Sequence, residues 1–362
     1  MRNVVLFLLA SANILLILLM LTSACGVWIA PQSHPALSCV GYPFSVFQVL
    51  NFLFLVFWVV FYWRLAVIPV AGMLLSLGAS RTNFPLNFPS APPAGAFKVL
   101  SYNVQGFGDL DMTYTEQNPG PIVDYILGSG AGIVCLQEAY QLGQLDSTRL
   151  RRIFSREFPY QEWATAGMKD SCSIIAVLSR YPILSAENID YHSKSNGSVA
   201  CRLLIDGDTV LVVNNHLESN RFADDEKDAY KEMLLDPNRS TLRKGYSKLY
   251  GKLIESAAVR GVQADSVHAY IERQRERLKI VCGDFNAPPV SYVHHTVGEG
   301  LDDAFVASGN GFGISYNQRG FYFRIDNIMV SENYKAYGCK VDDSIDASDH
   351  YPIFCWVAKR NK

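Results

Sequence analysis

The sequence predicts an α/β domain carried behind an apolar N-terminal segment, and three observations lead there. Charge is unevenly spread: residues 1–96 contain no Asp, Glu or Lys and only three Arg, at 2, 64 and 81. From Phe97 onward, short apolar runs alternate with stretches of helical periodicity, the pattern of strands interleaved with helices. Several of those runs end in a polar residue, among them Asn103, Glu138, His216 and Asp284. The chain has 362 residues with a net charge of -2, and taking the three N-terminal Arg from its 32 basic residues leaves 29 against 34 acidic ones, or -5, from residue 97 onward. A domain of that sign lacks the broad basic footprint of a nucleic-acid-binding surface. To handle phosphate it needs a bound cation or a few local donors.

Residues 1–80 read as a membrane anchor with two or three transmembrane helices. Val4 to Ala24 is apolar over about the length that crosses a bilayer. A cleaved signal peptide is the competing reading, and Thr-Ser-Ala-Cys at 22–25 resembles part of a lipoprotein cleavage site. The run is long for a signal core, and more membrane-like sequence follows. Phe44 to Tyr62 is a second span whose Trp63-Arg64 end suits a membrane interface. Leu65 to Ala79 is a third run, short for a full crossing, and it decides topology. Three spans leave the rest of the chain outside the cytoplasm and two leave it inside; the expectation is three, a multi-pass protein with its domain on the non-cytoplasmic side. Residues 81–96 are rich in Pro and Asn and read as a semi-extended linker with a reach of about 50 Å at ~3.1 Å per residue.

Residues 97–362 form the expected globular domain. Lys98 to Tyr102 is a strand ending at Asn103, Pro121 to Leu127 a helix, and Gly132 to Leu136 a strand ending at Gln137-Glu138. Ser173 to Leu178 is another strand, and Val199 to Asp206 with Thr209 to Asn214 make a hairpin through Gly207-Asp208. Tyr246 to Lys279 is strongly helical, with Leu249, Leu253, Ala257, Val262, Val267 and Ile271 on one stripe. Leu278 to Val281 then leads into Gly283-Asp284-Phe285-Asn286, where Asp284 and Asn286 leave one face of an extended stretch. Phe321 to Val330 and Tyr351 to Val357 complete the strands, and Asp326 sits inside the first of them, where an unpaired charge is costly.

Some features read as structural. Eight Cys occur with no CxxC pair; Cys135, Cys201, Cys282 and Cys355 lie in apolar runs, while Cys25 and Cys39 flank one loop and can pair if it faces an oxidising compartment. His294-His295 has no acidic partner nearby in sequence and reads as a surface loop. Gly309 to Gly313 lacks the Lys and helix of a phosphate loop and reads as a turn. Glu272 to Lys279 reads as a solvated helix face, and Arg260 and Gln263 as structural residues on the long helix.

The pieces Ser101-Tyr-Asn-Val-Gln-Gly, Leu136-Gln-Glu, Asn214-Asn-His-Leu-Glu-Ser, Gly283-Asp-Phe-Asn, Arg324-Ile-Asp-Asn-Ile and Ser348-Asp-His-Tyr-Pro, in that order, resemble the endonuclease/exonuclease/phosphatase superfamily. The resemblance covers about residues 97 to 358 and suggests a membrane-anchored member of bacterial type. It implies a four-layered α/β sandwich of two mainly antiparallel sheets flanked by helices, the DNase I-like fold. It implies a divalent cation, Mg²⁺ or alternatively Mn²⁺, with Glu138 as its main carboxylate, Asn103 beside it and Asp349 reaching it directly or through water. It implies that Asp284 activates the attacking water, that Asn286 fixes that water or a phosphate oxygen, and that His350 contacts the phosphoryl group, oriented by Asp326. His216 resembles a second catalytic His that contacts phosphate or assists the leaving group. Hard oxygen ligands suit Mg²⁺, and a His–Asp pair holds one tautomer and accepts positive charge. Gln105 stands where some abasic-site endonucleases carry Asp, which counts against a two-metal scheme. The expected activity is metal-dependent hydrolysis of a phosphodiester or phosphomonoester, with nucleic acid, a phospholipid or sphingolipid head group and an inositol phosphate as substrate classes. A catalytically inactive phosphate-binding module is the alternative.

Overall fold

A computed structural model describes residues 2–108, 113–140, 146–166, 173–193, 195–236, 238–318 and 321–360. Its N-terminal part holds helices α1 (Arg2–Ala24), α2 (Pro35–Ser38), α3 (Phe44–Phe61), α4 (Val67–Leu75) and α5 (Leu77–Asn83). By length and composition, α1 and α3 with their short continuations can each cross a membrane, whereas α4 and α5, bent by 75°, qualify only as a pair. The single apolar run read over Leu65–Ala79 is therefore broken, and Ser76 stands at the break with its hydroxyl donating to the Gly72 carbonyl at 2.9 Å. Polar side chains join the bundle. Asn13 donates to Asn51 at 3.1 Å, Trp58 donates to Asn13 at 3.1 Å, and Asn51 donates to the Pro69 carbonyl at 3.0 Å. All three side chains are buried, so the bonds select which helix faces meet.

The rest of the chain builds strands β1 (Phe97–Asn103), β2 (Ile133–Gln137), β3 (Tyr160–Ala166), β4 (Ser173–Ser179), β5 (Ile183–Ile189), β6 (Gly197–Ile205), β7 (Asp208–His216), β8 (Leu278–Asp284), β9 (Leu301–Asp303), β10 (Tyr316–Gln318), β11 (Phe321–Phe323), β12 (Asp326–Ser331), β13 (Tyr334–Val341) and β14 (Ile353–Lys359). Helices α6 (Pro121–Gly128), α7 (Ser147–Phe154), α8 (Asp224–Leu235), α9 (Arg239–Arg273), α10 (Tyr292–Val297) and α11 (Ala304–Ser308) connect them. Two six-stranded sheets result, ordered β13-β14-β1-β2-β4-β3 and β5-β6-β7-β8-β12-β9, with β10-β11 as a separate ribbon.

Alternation along the strands explains the layering. Val99, Ile133, Cys135 and Val177 of one sheet meet Cys201, Val212, Ile280, Cys282 and Ile328 of the other in a fully buried core. On the outer face of the first sheet, Leu100, Val134 and Leu136 pack against Ile122 and Ile126 of α6 and Leu150 and Phe154 of α7. On the outer face of the second, Leu211, Val213 and Val281 pack against Ala264, Val267 and Ile271 of α9. This is the expected four-layered sandwich. Each sheet is antiparallel except for one central parallel pair, β1–β2 in the first and β7–β8 in the second. The carboxyl ends of those two pairs meet, since the Asn103 amide at the end of β1 donates to Asp284 at the end of β8 at 3.1 Å.

Several boundaries differ from the sequence reading. α9 starts earlier than Tyr246, because Asn238 caps it by accepting from the Ser240 and Thr241 amides. It ends at Arg273, where Gln274 turns extended. The run Glu272–Lys279 is therefore no single helix face; Arg202 draws Gln274 and Glu276 onto the edge of the sheet. Phe321–Val330 divides into β11 and β12. Cys25 and Cys39 are free thiols.

The linker is less free than its composition suggests. Residues 81–83 belong to α5, the Phe84 ring meets Phe312 at 4.7 Å, and the Asn87 amide donates to the Val306 and Gly309 carbonyls. The loop between α1 and α3 also rests on the domain. Gln32 donates to Asp265 at 2.7 Å, and Arg260 donates to the Tyr42 hydroxyl at 3.0 Å. Gly41 lies so close to the domain that a Cβ there would stand 2.1 Å from the Val290 carbonyl oxygen.

Candidate active site

Gly283 makes the site possible. It has φ of 127°, and a Cβ there would lie 1.9 Å from the Asn215 carbonyl oxygen, so no side chain fits where β7 and β8 approach. Register then places His216, Asp284 and Asp326 in one row across β7, β8 and β12. From the facing sheet, Asn103 closes β1 and Glu138 follows β2. Glu138, Asn286 and Gln105 all have positive φ, at 51°, 51° and 42°. Such backbone costs of order ~1–3 kcal/mol per residue, and here it turns the chain at strand ends around one cavity.

Short polar links hold the groups. Asn286 donates from its backbone to Asp284 Oδ1 at 2.8 Å and from its amide to Asp284 Oδ2 at 3.1 Å. Asn103 Nδ2 also reaches Glu138 Oε1 at 3.3 Å. His350 Nδ1 and Asp326 Oδ2 lie 2.7 Å apart, and His350 Nε2 is 3.7 Å from Asp284. The Ser315 hydroxyl accepts from the Ile325 and Asp326 amides, while the Ser348 hydroxyl donates to the Asn103 carbonyl and accepts from the His350 amide. Gln105 donates from its backbone to Asn103 Oδ1 and accepts from the Asp349 amide.

The electrostatics divide the two histidines. Burial works against charge on His350, but the Asp326 and Asp284 carboxylates outweigh it and hold the ring well above its ordinary pKa. His216 is pushed down to about 3 by burial and by the charges of His350 and Arg221. One imidazole is thus cationic and the other neutral at neutral pH. Burial pushes Asp284 up to about 7, against the pull of His350 and the bonds from Asn286 and Asn103. Burial and the Asp349 charge raise Glu138 as well.

Asn103, Glu138, His216, Asp284, Asn286, Asp326 and His350 thus come together, and Asp349 lines the same cavity. Asp284, Asp326 and His350 place ligand atoms within 4.8 Å of one another and could hold a cation. The expected set was Glu138, Asp349 and Asn103, whose hard oxygens also suit such an ion. Two features fit a cation nearby: burial and the Asp349 charge raise Glu138, and among the described residues Asp326 Oδ1 is buried without a partner.

One reading is overturned. His294 is no surface loop residue; it is buried in α10, and its Nε2 is 2.9 Å from Asp303. The partner was hidden because it lies on the following strand. Arg260 and Gln263 hold the turn after β7 through the Glu218 backbone, as structural residues do. Cys282 packs between the sheets. The sequence reading missed most of the cavity wall. The cavity has a volume of about 610 Å³, and its lining includes Arg221, Lys227, Tyr316 and Phe321, together with Tyr42 and Val46 of the anchor. No spacing in the sequence joins those segments.

The Endonuclease/Exonuclease/phosphatase family model matches residues 100–350, and a Domain of unknown function (DUF8431) model matches residues 4–83. None of the curated proteins searched matches the chain. Among solved structures, humanized D. rerio TDP2 superposes with a TM-score of 0.50 at 15% identity, covering 74% of this chain and 100% of that one. An endonuclease/exonuclease/phosphatase family protein from Leptotrichia buccalis C-1013-b gives 0.49 at 16% identity, covering 73% and 100%. Sphingomyelinase C from Streptomyces griseocarneus gives 0.49 at 16%, covering 74% and 99%. At 15% identity the likeness to the first of these speaks to fold alone. The family match spans well over half of the sequence, its strand-end residues meet at one cavity, and the chain belongs to the endonuclease/exonuclease/phosphatase family.

Proposed function

We propose that this protein is a membrane-anchored, divalent-metal-dependent phosphoesterase that hydrolyses its substrate with an activated water. The observation that carries the reading is the row His216–Asp284–Asp326, faced by Asn103 and Glu138 from the other sheet. Glu138, Asp349 and Asn103 are the ligands proposed for Mg²⁺ or Mn²⁺, which supplies charge neutralisation at the phosphoryl oxygens when bound. Asp284, raised toward neutrality, takes a proton from the attacking water, and Asn286 fixes the carboxylate for that task. Cationic His350, oriented by Asp326, donates a hydrogen bond to a phosphoryl oxygen. Neutral His216 lies 3.5 Å from Glu138, and among the described residues neither ring nitrogen has a hydrogen-bond partner, so it is available to the leaving group.

The anchor reading is three crossings, with the domain outside the cytoplasm. It is supported by the packing of α4 into the α1–α3 bundle through Asn51 and Pro69, and by Met20 and Ala24 of α1 packing with Val290 while Thr82 of α5 meets Arg324. A reporter fused after residue 96 tests it: periplasmic-type alkaline phosphatase activity is expected, and a cytoplasmic signal instead removes the third span.

The activity test is a hydrolysis panel on the full chain in detergent, with and without chelator. Supercoiled DNA, RNA, sphingomyelin, inositol phosphates and a generic diester are offered with Mg²⁺ or Mn²⁺. Metal-dependent turnover of at least one is expected. Phosphate binding without turnover of any would leave the inactive binding module as the correct reading.

A further inference from the structure

We infer that the substrate is a lipid carrying a phosphoester head group, drawn sideways from the bilayer that holds the anchor. This rests on the phosphoesterase reading and names its substrate class. The first observation is that the cavity is not built by the globular domain alone. Tyr42, Pro43, Ser45 and Val46, at the start of α3, line it opposite Asp284 and His350. They are held there. Arg260 binds the Tyr42 hydroxyl at 3.0 Å, the Tyr42 ring meets Phe323 at 6.1 Å, and Gly41 abuts the Val290 carbonyl.

The second observation is continuity. Val46 belongs both to the cavity wall and to an exposed stripe on α3: Val46, Val49, Leu50 and Leu53 are 57%, 42%, 41% and 55% exposed. That i, i+3, i+4, i+7 spacing is one face of a helix, and on a helix apolar enough to cross a membrane it is the face that acyl chains cover. An apolar surface thus runs from the lipid-facing side of α3 into the mouth of the cavity.

The third observation is how the cavity is graded. Its polar end holds Asp284, Asn286 and His350. Its other wall is aromatic: the Phe321 ring stacks on Tyr230 at 4.1 Å and on Phe222 at 5.3 Å, and Tyr322 beside it is 57% exposed. Arg221 and Lys227 add two cations to the lining. A molecule matching this gradient has an anionic phosphoester at one end and an apolar body at the other. A nucleic acid would need a basic track along its backbone, and the domain carries net negative charge instead. In the reaction, water oxygen forms a bond to phosphorus and one ester P–O bond breaks. Asp284 receives the proton of the water, and the departing alkoxide takes a proton from solvent to leave as an alcohol, Asp284 returning its own to solvent.

The experiment uses the full chain in nanodiscs of phosphatidylethanolamine and phosphatidylglycerol with Mg²⁺. Four substrates are compared: the lipids of the same disc, the same lipids in separate vesicles, the soluble diester bis(p-nitrophenyl) phosphate, and supercoiled DNA. Head-group or phosphate release from lipids of the enzyme's own disc is expected to exceed release from separate vesicles by about tenfold or more. Val46→Trp, which narrows the mouth, is expected to lower the ratio of lipid to soluble-diester turnover by about tenfold. If that variant fails to fold, the own-disc against separate-vesicle comparison on the unaltered chain still decides. Soluble-diester turnover with no lipid turnover, with equal rates on the two lipid sources, or with supercoiled DNA preferred, overturns the lipid inference alone. Absence of turnover of every substrate offered overturns the phosphoesterase reading and this inference with it.

Discussion

Two buried clusters in this domain use the same residue types for different ends. In the first, Asp303 accepts from the Phe305 and Val306 amides on one oxygen and meets His294 and Arg324 on the other, both at 2.9 Å. Every lone pair there is engaged. In the second, Asp326 holds His350 at 2.7 Å but, among the described residues, has no partner for Oδ1, and the ion-pair partners of Asp284 there are His216 and His350. Arg324 makes the difference. Its guanidinium neutralises Asp303 and reaches on to the Thr82 carbonyl at the end of α5 at 2.8 Å, so the first cluster fastens the anchor to the domain. The second has two carboxylates and one imidazolium, an incomplete charge set open to a cavity. A completed cluster contributes stability, and an incomplete one is available for chemistry.

Breaking the second cluster should give the largest effect, and on rate. Asp284→Asn or Asp326→Asn is expected to lower kcat by about 10²–10⁴-fold, and Asp284→Asn to do so with no drop in melting temperature, measured by turnover and calorimetry on the same sample. Near-normal turnover in Asp284→Asn would remove it as the base. Breaking the first cluster should act on stability. Asp303→Asn leaves Arg324 buried without its charge partner and is expected to cost about 3–5 kcal/mol in chemical denaturation, while the folded fraction keeps its specific activity.

The pH dependence sharpens the contrast, because the two carboxyls shift in opposite directions. Burial opposes charge on Asp303, but Arg324 and the His294 bond outweigh it and hold its carboxyl well below the usual range. Its stabilisation is then present above the unfolded value of about 4 and is lost as pH falls toward the folded one. Asp284, raised to about 7, does the reverse: in metal-free protein its contribution to stability falls as pH rises from about 4 to about 7. Melting curves of Asp303→Asn should converge on the parent below about pH 4, whereas those of Asp284→Asn should exceed it most near neutrality. A common slope for both variants would show that the clusters do not differ in this way.

A smaller effect concerns metal. Glu138→Gln keeps size and hydrogen bonding but loses a hard anionic oxygen, so turnover should need about tenfold more Mg²⁺ for half-maximal rate. An unchanged Mg²⁺ titration would shift the ligand role to Asp284 with Asp326.

The polar residues of the proposed active site were legible in the sequence and the fastening cluster was not. Asn103, Glu138, His216 and Asp284 each end an apolar run, and strand ends are where a buried sheet can present polar groups. The layering was expected from the family resemblance and not from periodicity, since runs such as Val210–Val213 are buried on both faces. His294 and Asp303 gave no such signal, since their pairing crosses from α10 to the strand after it. Arg324 looked like part of a continuous strand; its burial against Phe305, Asp303 and Thr82 is a tertiary fact. The loop at 25–43 and the Pro-rich residues after α5 have no periodicity, so nothing in them announces that they dock.

Gly41 against Val290, Arg260 on Tyr42 and Arg324 on Thr82 together make the anchor a tethered ligand of the domain. Binding to the folded form alone stabilises it by mass action, and a covalent tether sets the effective concentration of this ligand at about the millimolar level for a short flexible link. Detergent choice is therefore a thermodynamic variable for the globular domain as well as for the helices. A micelle that loosens α1 from α3 withdraws a ligand, and the unfolding midpoint of a domain that never enters the micelle should move with it.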